Sequence, residues 1–195
     1  MRILCDIDGV VNNLPEAVLS VYNEDWNDNL TINDIKEYHI EKFVKPEARD
    51  NFYNLFTDSR VWKRIRPVNV EAVQWLIDNT EFAFCTSTEP YNLYKKERWL
   101  NRTFKNLDTR KQLIRTHHKG WIDADFLIDD CTKNLMSGKY VGICINAPYN
   151  QDYKGYSCDS VDKFVHTIKD FLKSCDEKEM ISYFKSSENL VGIVR

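Results

Sequence analysis

The chain has 195 residues, with 27 Lys+Arg against 30 Asp+Glu and a formal net charge of −3. That length suits one domain carrying a small insertion. The charge excludes a protein whose main task is to coat a nucleic-acid backbone. Apolar runs are only a few residues long, well short of the roughly 18–20 that a membrane-spanning helix needs. Neither a membrane nor extended nucleic acid is therefore expected as a partner. The opening MRILCDIDGVV carries Asp6 and Asp8 where a secretory leader would be free of charge, so a cytoplasmic chain is expected. Cys5, Cys85 and Cys144 lie inside apolar runs, as small buried hydrophobes do, and Cys131, Cys158 and Cys175 are scattered. Without a CxxC or Cys/His spacing, neither zinc nor a disulfide framework is expected.

Taken in chain order, Arg2–Cys5 is a short apolar run, predicted as a buried strand. A helix is predicted over Pro15–Tyr22, with proline in its first turn. Residues 23–45 lack clean periodicity, apart from a helix-start signal at Thr31–Ile35. Pro46–Phe56 reads as a helix with Ala48, Phe52, Leu55 and Phe56 on one side. Pro67 opens another, faced by Val70, Val73, Leu76 and Ile77. Phe82–Cys85 is the second strand, followed by a helix over Glu89–Leu100 packed through Leu93, the Lys96 stem, Trp99 and Leu100. Gln112–Arg115 is a short strand candidate, and Phe126–Ile128 is a strand ending abruptly at Asp129 and Asp130. Thr132–Met136 is a short helix closed by Gly138, and Tyr140–Ile145 another strand. Ser160–Leu172 is the last clear helix. The Lys/Glu run over 173–185 is predicted as a solvated face. Asn189–Val194 is either an added edge strand or a tail.

Strands alternating with helices imply an α/β fold with a parallel sheet flanked by helices. Such sheets bind ligands at the carboxyl ends of their strands. Four places just after apolar runs then matter: Asp6-Ile7-Asp8-Gly9, Thr86-Ser87, the stretch around Lys119, and Asp129-Asp130. In extended chain, a D-x-D spacing puts both carboxylates on one side. Carboxyl groups held that close repel unless a cation or shared proton offsets them. Three or four of them form a hard-oxygen site suited to Mg²⁺. A carboxylate there can attack phosphorus, and a second can protonate the leaving alkoxide and then activate water. Thr86, Ser87 and Lys119 can hold the phosphate oxygens. Lys111 also follows the second strand, but the ten-residue spacing to Asp129 favours Lys119. His117 and His118 read as solvated loop residues, and Asp123 and Asp125 as the approach to a strand.

The four segments CDIDGVV, FCTS, Lys119 and LIDD, in that order, resemble the haloacid-dehalogenase-like phosphohydrolases. Within them the chain is similar to the 5′(3′)-deoxyribonucleotidase family, through the Thr-Ser pair, the stretch YNLYKKERWL and the stretch HHKGWIDADFLIDD. The resemblance runs over about residues 1–175. It implies Asp6 as nucleophile and Asp8 as general acid/base. Mg²⁺ would be held by Asp6, the Asp8 main-chain carbonyl and Asp129, with Asp130 behind them or reaching the metal through water. Thr86, Ser87 and Lys119 would bind phosphate. It further implies a helical cap over residues 15–75, inserted into a Rossmann-like core of 1–14 and 76–175, with 176–195 as a C-terminal extension. Cap aromatics are candidates to stack on a base: Trp26, Tyr38, Phe43, Phe52, Tyr53, Phe56 and Trp62, with Phe43, Phe52 and Trp62 foremost. Arg64 and Arg66 are candidates to meet phosphate or a cap carboxylate. Two positions depart from the family pattern: Thr88-Glu89-Pro90 follows Ser87 where proline often follows directly, and Cys131 stands where arginine is common.

The expected activity is Mg²⁺-dependent hydrolysis of a (deoxy)ribonucleoside 5′-monophosphate through an aspartyl-phosphate. The substrate is small and phosphorylated, and a homodimer is an open arrangement, since relatives often pair. The rival enzyme reading is a phosphatase of another small ester or of a polynucleotide end. The rival non-enzyme reading is a catalytically silent nucleotide-binding module.

Overall fold

The computed structural model describes residues 1–186. The segment Asn189–Val194, expected as a strand or tail, lies outside them. Strand β1 (Arg2–Cys5) leads to helix α1 (Leu14–Trp26) and then to 3₁₀ segments at Ile32–Asp34, Ile40–Lys42 and Pro46–Thr57. Next come α2 (Ser59–Arg64), α3 (Val70–Asn79), β2 (Glu81–Thr86), α4 (Pro90–Thr103), α5 (Thr109–Gln112) and β3 (Leu113–Arg115). After a 3₁₀ turn at Lys119–Trp121 follow β4 (Phe126–Asp129), α6 (Thr132–Leu135), β5 (Val141–Ile145), β6 (Tyr156–Cys158), α7 (Val161–Phe171) and α8 (Glu177–Ser186).

The strands form one parallel sheet in the order β3-β2-β1-β4-β5-β6. Successive side chains alternate between faces. Ile3, Cys5, Phe82, Phe84, Phe126 and Ile128 pack with α3 and α7, whereas Leu4, Cys85, Leu127 and Cys144 pack with Leu135 and Tyr140. Burial on both faces explains why these strands read as short apolar runs. From β1 the chain proceeds to β2 and β3 on one side, then returns to β4 on the other. The topological switch therefore lies between the carboxyl ends of β1 and β4, where open α/β sheets bind ligands.

Several sequence expectations need correction. Pro46–Thr57 winds as successive 3₁₀ turns, an uncommonly long run, although Ala48 and Phe52 are buried as expected. Helices α2 and α5 and strand β6 were not anticipated, because segments of 3–6 residues are too short to display a period. Helix α2 is started locally: the Asp58 side chain accepts from the Arg60 N–H at 2.7 Å. The run over 173–185 is not a solvated face throughout. Helix α8 buries Met180 and Phe184 in the main core, with the Phe184 ring 5.4 Å from that of Phe126 and 5.0 Å from that of Tyr156. A second hydrophobic cluster joins Leu14, Ala17, Val18, Val21, Tyr22, Val44, Ala48, Phe52, Val61 and Ile65. Ala72 and Val73 belong to the main core.

Candidate active site

Asp6 is the first residue past β1, and its N–H donates to the Ile128 carbonyl of β4 at 2.8 Å. This bond sets it beside Asp129, the last residue of β4. Lys119 arrives from its 3₁₀ turn with its side chain 1% exposed, and its Nζ donates to Asp6 Oδ1 at 2.5 Å and to Asp129 Oδ2 at 2.6 Å. Asp129 also accepts from the Cys131 N–H at 2.8 Å and from Asn134 Nδ2 at 3.0 Å. Cys131, the departure from the family pattern, is buried and contributes its main chain here. Lys111, the alternative to Lys119, is exposed at the far end of β3. Asp123 forms a surface pair with Arg2 at 2.7 Å, and Asp125 accepts from the Arg2 N–H at 2.8 Å.

Oxygens of Asp6, Asp129 and Asp130 all lie within 4.8 Å of one another, and all three residues are buried. Asp130, placed behind the metal by sequence reasoning, stands in this trio. Its carboxylate accepts from the Tyr149 hydroxyl, and its carbonyl accepts from Asn150 Nδ2 at 2.8 Å. Gly9 makes this approach feasible: its φ is +74°, and a Cβ there would meet Asp130 Oδ2 at 2.6 Å. Burial pushes the Asp6 carboxyl up to about 6, with Asp129 and Asp8 adding to it and Lys119 opposing. Burial, with Asp129 and Asp6 next, raises Asp130 well above the ordinary range. Burial works against the Lys119 charge, but Asp6 and Asp129 outweigh it and raise its pKa. One lysine among three buried carboxylates leaves negative charge uncompensated, and all the donors are hard oxygens. These residues fit a divalent cation.

The Asp8 carboxylate is held by α4. Lys96 Nζ donates to Asp8 Oδ2 and, at 2.7 Å, to Thr86 Oγ1, and Asn12 Nδ2 reaches Asp8 Oδ1 at 3.2 Å. The Thr86 hydroxyl therefore holds Lys96 rather than capping α4. Ser87 Oγ is 2.6 Å from His117 Nδ1, so His117, although exposed, is no free loop residue.

Above these groups lies a cavity of about 430 Å³. Its lining joins the polar residues Asp8, Ser87, Asn92, Lys96, His117 and Asp130 to the aromatics Tyr38, Phe52, Tyr53, Phe56 and Trp62. Phe43, a foremost cap candidate, is half-buried outside that lining, and Trp26 is also absent from it. Trp62 is fixed by an Nε1–H bond to the Phe56 carbonyl at 2.9 Å. Lys95 Nζ lies 5.4 Å from its ring centroid and donates to the Thr57 carbonyl at 2.8 Å, tying α4 to the insertion. Arg64 pairs with Glu24 of α1 at 2.7 Å, and Arg66 Nη1 donates to the Lys63 and Ile65 carbonyls.

Sequence reasoning missed Lys96 and Tyr149. Lys96 carried a signal: Asn92, Lys96 and Leu100, spaced four apart, form the buried stripe of α4, and polar residues on such a stripe need partners. Tyr149 and Asn150 follow β5, a strand end that obeys the same carboxyl-end rule as the four places singled out.

The parallel sheet and its switch point give the chain the fold of the HAD-superfamily hydrolases. A HAD-hydrolase from Bacillus subtilis, crystallised with magnesium, superposes with a TM-score of 0.53 at 13% identity, covering 86% of this chain and 98% of that one. A HAD phosphatase from Thermococcus onnurineus gives 0.52 at 14% identity, covering 86% and 97%. Residues 1–170 match the family described as 5′ nucleotidase, deoxy (pyrimidine), cytosolic type C, and the chain belongs to it, as a nucleotidase-type hydrolase. A 5′(3′)-deoxyribonucleotidase from Clostridium acetobutylicum is 28% identical over 148 residues, 75% of this chain and 82% of that one.

Proposed function

We propose that the protein is a Mg²⁺-dependent phosphomonoesterase that hydrolyses deoxyribonucleoside 5′-monophosphates through a phosphorylated Asp6. The observation that carries this reading is the division of labour between two acids two residues apart. Asp6 sits among buried acids at the switch point, and Asp8 lines the cavity beside Lys96. Asp6 Oδ1 is taken by Lys119, which leaves Oδ2 without a hydrogen-bond partner among the described residues and available to attack. Oδ2 forms a bond to phosphorus as the ester P–O bond breaks, and Asp8 delivers a proton to the leaving alkoxide oxygen. Asp8 then takes a proton from water, whose oxygen displaces Asp6 and releases phosphate.

Asp6, Asp129 and Asp130 would hold Mg²⁺, which supplies charge stabilisation at the phosphoryl oxygens. Lys119 and Lys96 place fixed positive charge at the same end, and Thr86 and Ser87 border it. The aromatic lining at Phe52, Phe56 and Trp62 suits a planar base. A cavity of about 430 Å³, at the small end for ligand sites, suits a nucleotide better than a polynucleotide end. Residues 14–65 act in this reading as the cap. Six free cysteines suit a reducing, cytoplasmic setting.

The test is phosphate release with MgCl₂ across ribo- and deoxyribonucleoside monophosphates, beside p-nitrophenyl phosphate and a 5′-phosphorylated oligonucleotide. Deoxynucleotides should be preferred, and Asp6→Asn should abolish release. Turnover of p-nitrophenyl phosphate alone would remove the nucleotide assignment, and undiminished turnover in Asp6→Asn would remove the mechanism.

A further inference from the structure

We infer that His117 is a positioning residue that makes the Ser87 hydroxyl a donor to the phosphoryl group, an inference that rests on the nucleotidase reading of the same cavity. Both residues are exposed, and both line the cavity beside Asp8 and Lys96. Ser87 Oγ and His117 Nδ1 are 2.6 Å apart, so a hydrogen lies between them. The loops that carry them, past β2 and β3, are tied together on either side of the pair. The Thr116 N–H donates to the Thr86 carbonyl at 3.1 Å, and Arg115 Nε donates to the Thr88 carbonyl at 2.6 Å. The turn at His117 is closed by the His118 N–H, which donates to Thr116 Oγ1 at 3.0 Å.

Of the neighbouring hydroxyls Thr86 and Ser87, the first is 1% exposed and accepts from the Lys96 amine. Ser87 is therefore the one open to a ligand. A hydroxyl carries a single hydrogen, and each imidazole nitrogen is either a donor or an acceptor. When Nδ1 is bare, Ser87 donates its hydrogen to the ring and presents only lone pairs to the cavity. An ionised phosphoryl group also presents only lone pairs, so the two repel. When Nδ1 carries a proton, the ring donates to Ser87 Oγ, and the hydroxyl hydrogen is free to point at a phosphoryl oxygen. A phosphoryl group bound there selects the form of His117 with hydrogen on Nδ1. His117 acts in this way through Ser87, without touching the substrate itself.

The test has two arms. In the first, protein labelled with nitrogen-15 in its four histidines is titrated with inorganic phosphate in the presence of Mg²⁺ and followed by NMR. The His117 signals are those that His117→Asn lacks. With phosphate bound, His117 Nδ1 should show the shift of a protonated nitrogen, and an unprotonated Nδ1 in that state overturns the inference. This arm reads the unmodified protein. The second arm measures KM and kcat for thymidine 5′-monophosphate with Mg²⁺. His117→Leu should raise KM by about 10- to 100-fold, with a smaller change in kcat, as a lost hydrogen bond to a charged group does. His117→Asn, which keeps an N–H donor at the position of Nδ1, should recover most of that loss. Ser87→Ala should raise KM by a similar factor, and His117→Leu added to it should cost little more. An unchanged KM in His117→Leu, or two costs that simply add, overturns the inference. If the unmodified protein hydrolyses no ester, the nucleotidase reading fails separately, and the phosphate titration alone decides on His117, with no binding of phosphate overturning it.

Discussion

Replacing Lys119 by methionine keeps most of the side-chain volume and removes the positive charge shared by Asp6 and Asp129. The ammonium is 2.5 and 2.6 Å from the two carboxylates, and its side chain is 1% exposed. Removing one partner of a buried ion pair costs about 3–5 kcal/mol, because the remaining charges stay desolvated and unpaired. For a chain of this size each kcal/mol is worth about 2–4 °C in Tm. At pH 7 without divalent cations, the variant should therefore melt about 6–20 °C below the parent. The sign of the pH dependence follows from the acids left behind. With the lysine present, Asp6 already titrates at about 6, above the ordinary value of 3.8. Without it the folded pKa moves higher still. An acid whose folded pKa is raised destabilises the fold as pH rises from its unfolded value through its folded one. The deficit should stay nearly constant up to about pH 6, where Asp6 costs both proteins equally, grow above it, and shrink again when Mg²⁺ is added. Scanning calorimetry of both proteins at pH 4.5, 6 and 7.5, with and without 10 mM MgCl₂, measures all three trends. A deficit below about 1 kcal/mol at pH 7.5, or one independent of pH, would refute the charge-balance argument.

Gly9→Ala should lower phosphate release by at least about 100-fold. The φ of +74° disfavours a side chain, and its Cβ would stand 2.6 Å from Asp130 Oδ2. Steady-state kinetics measures this, with circular dichroism to confirm folding. Lys96→Met should cut kcat by about 100- to 10,000-fold and flatten the pH–rate profile, because it frees the Asp8 carboxylate from the amine that orients it. Unchanged kcat would show that Asp8 needs no such support. Phe184→Ala should destabilise the protein by about 3–5 kcal/mol in urea denaturation, since its ring packs on Phe126, Tyr156 and Phe171. A cost below 1 kcal/mol would mean that α8 is dispensable to the core.

The central strands were legible in the sequence because each is largely buried on both faces. Runs such as ILC before Asp6 and FLI before Asp129 name their strand without reference to the rest of the chain. The acids past those runs were legible for the same reason, since a parallel sheet gathers its strand ends at one edge. Short elements were not: α2 and β6 become regular only where Asp58 or the neighbouring strand supplies hydrogen bonds. Helix α8 was misread as solvated because Met180, Ile181, Tyr183 and Phe184 stand among charged neighbours, and only the packing of Phe184 against Phe126 and Tyr156 shows which face is buried.

Which partner each acid meets was decided by tertiary structure. Spacing placed Asp6 and Asp8 on one side of an extended chain, but the chain turns at Gly9 and points the two carboxylates at different partners, Lys119 and Lys96. Lys96 reads as an ordinary helical lysine until α4 is packed against the switch point, where its stem is buried and its amine has only Asp8 and Thr86 to meet. The sequence by itself determined the order of the strands' acids and hence the kind of chemistry, because that depends on local burial and periodicity. Only the tertiary structure decided the pairing of charges and the lining of the cavity, because those depend on contacts between segments far apart in the chain.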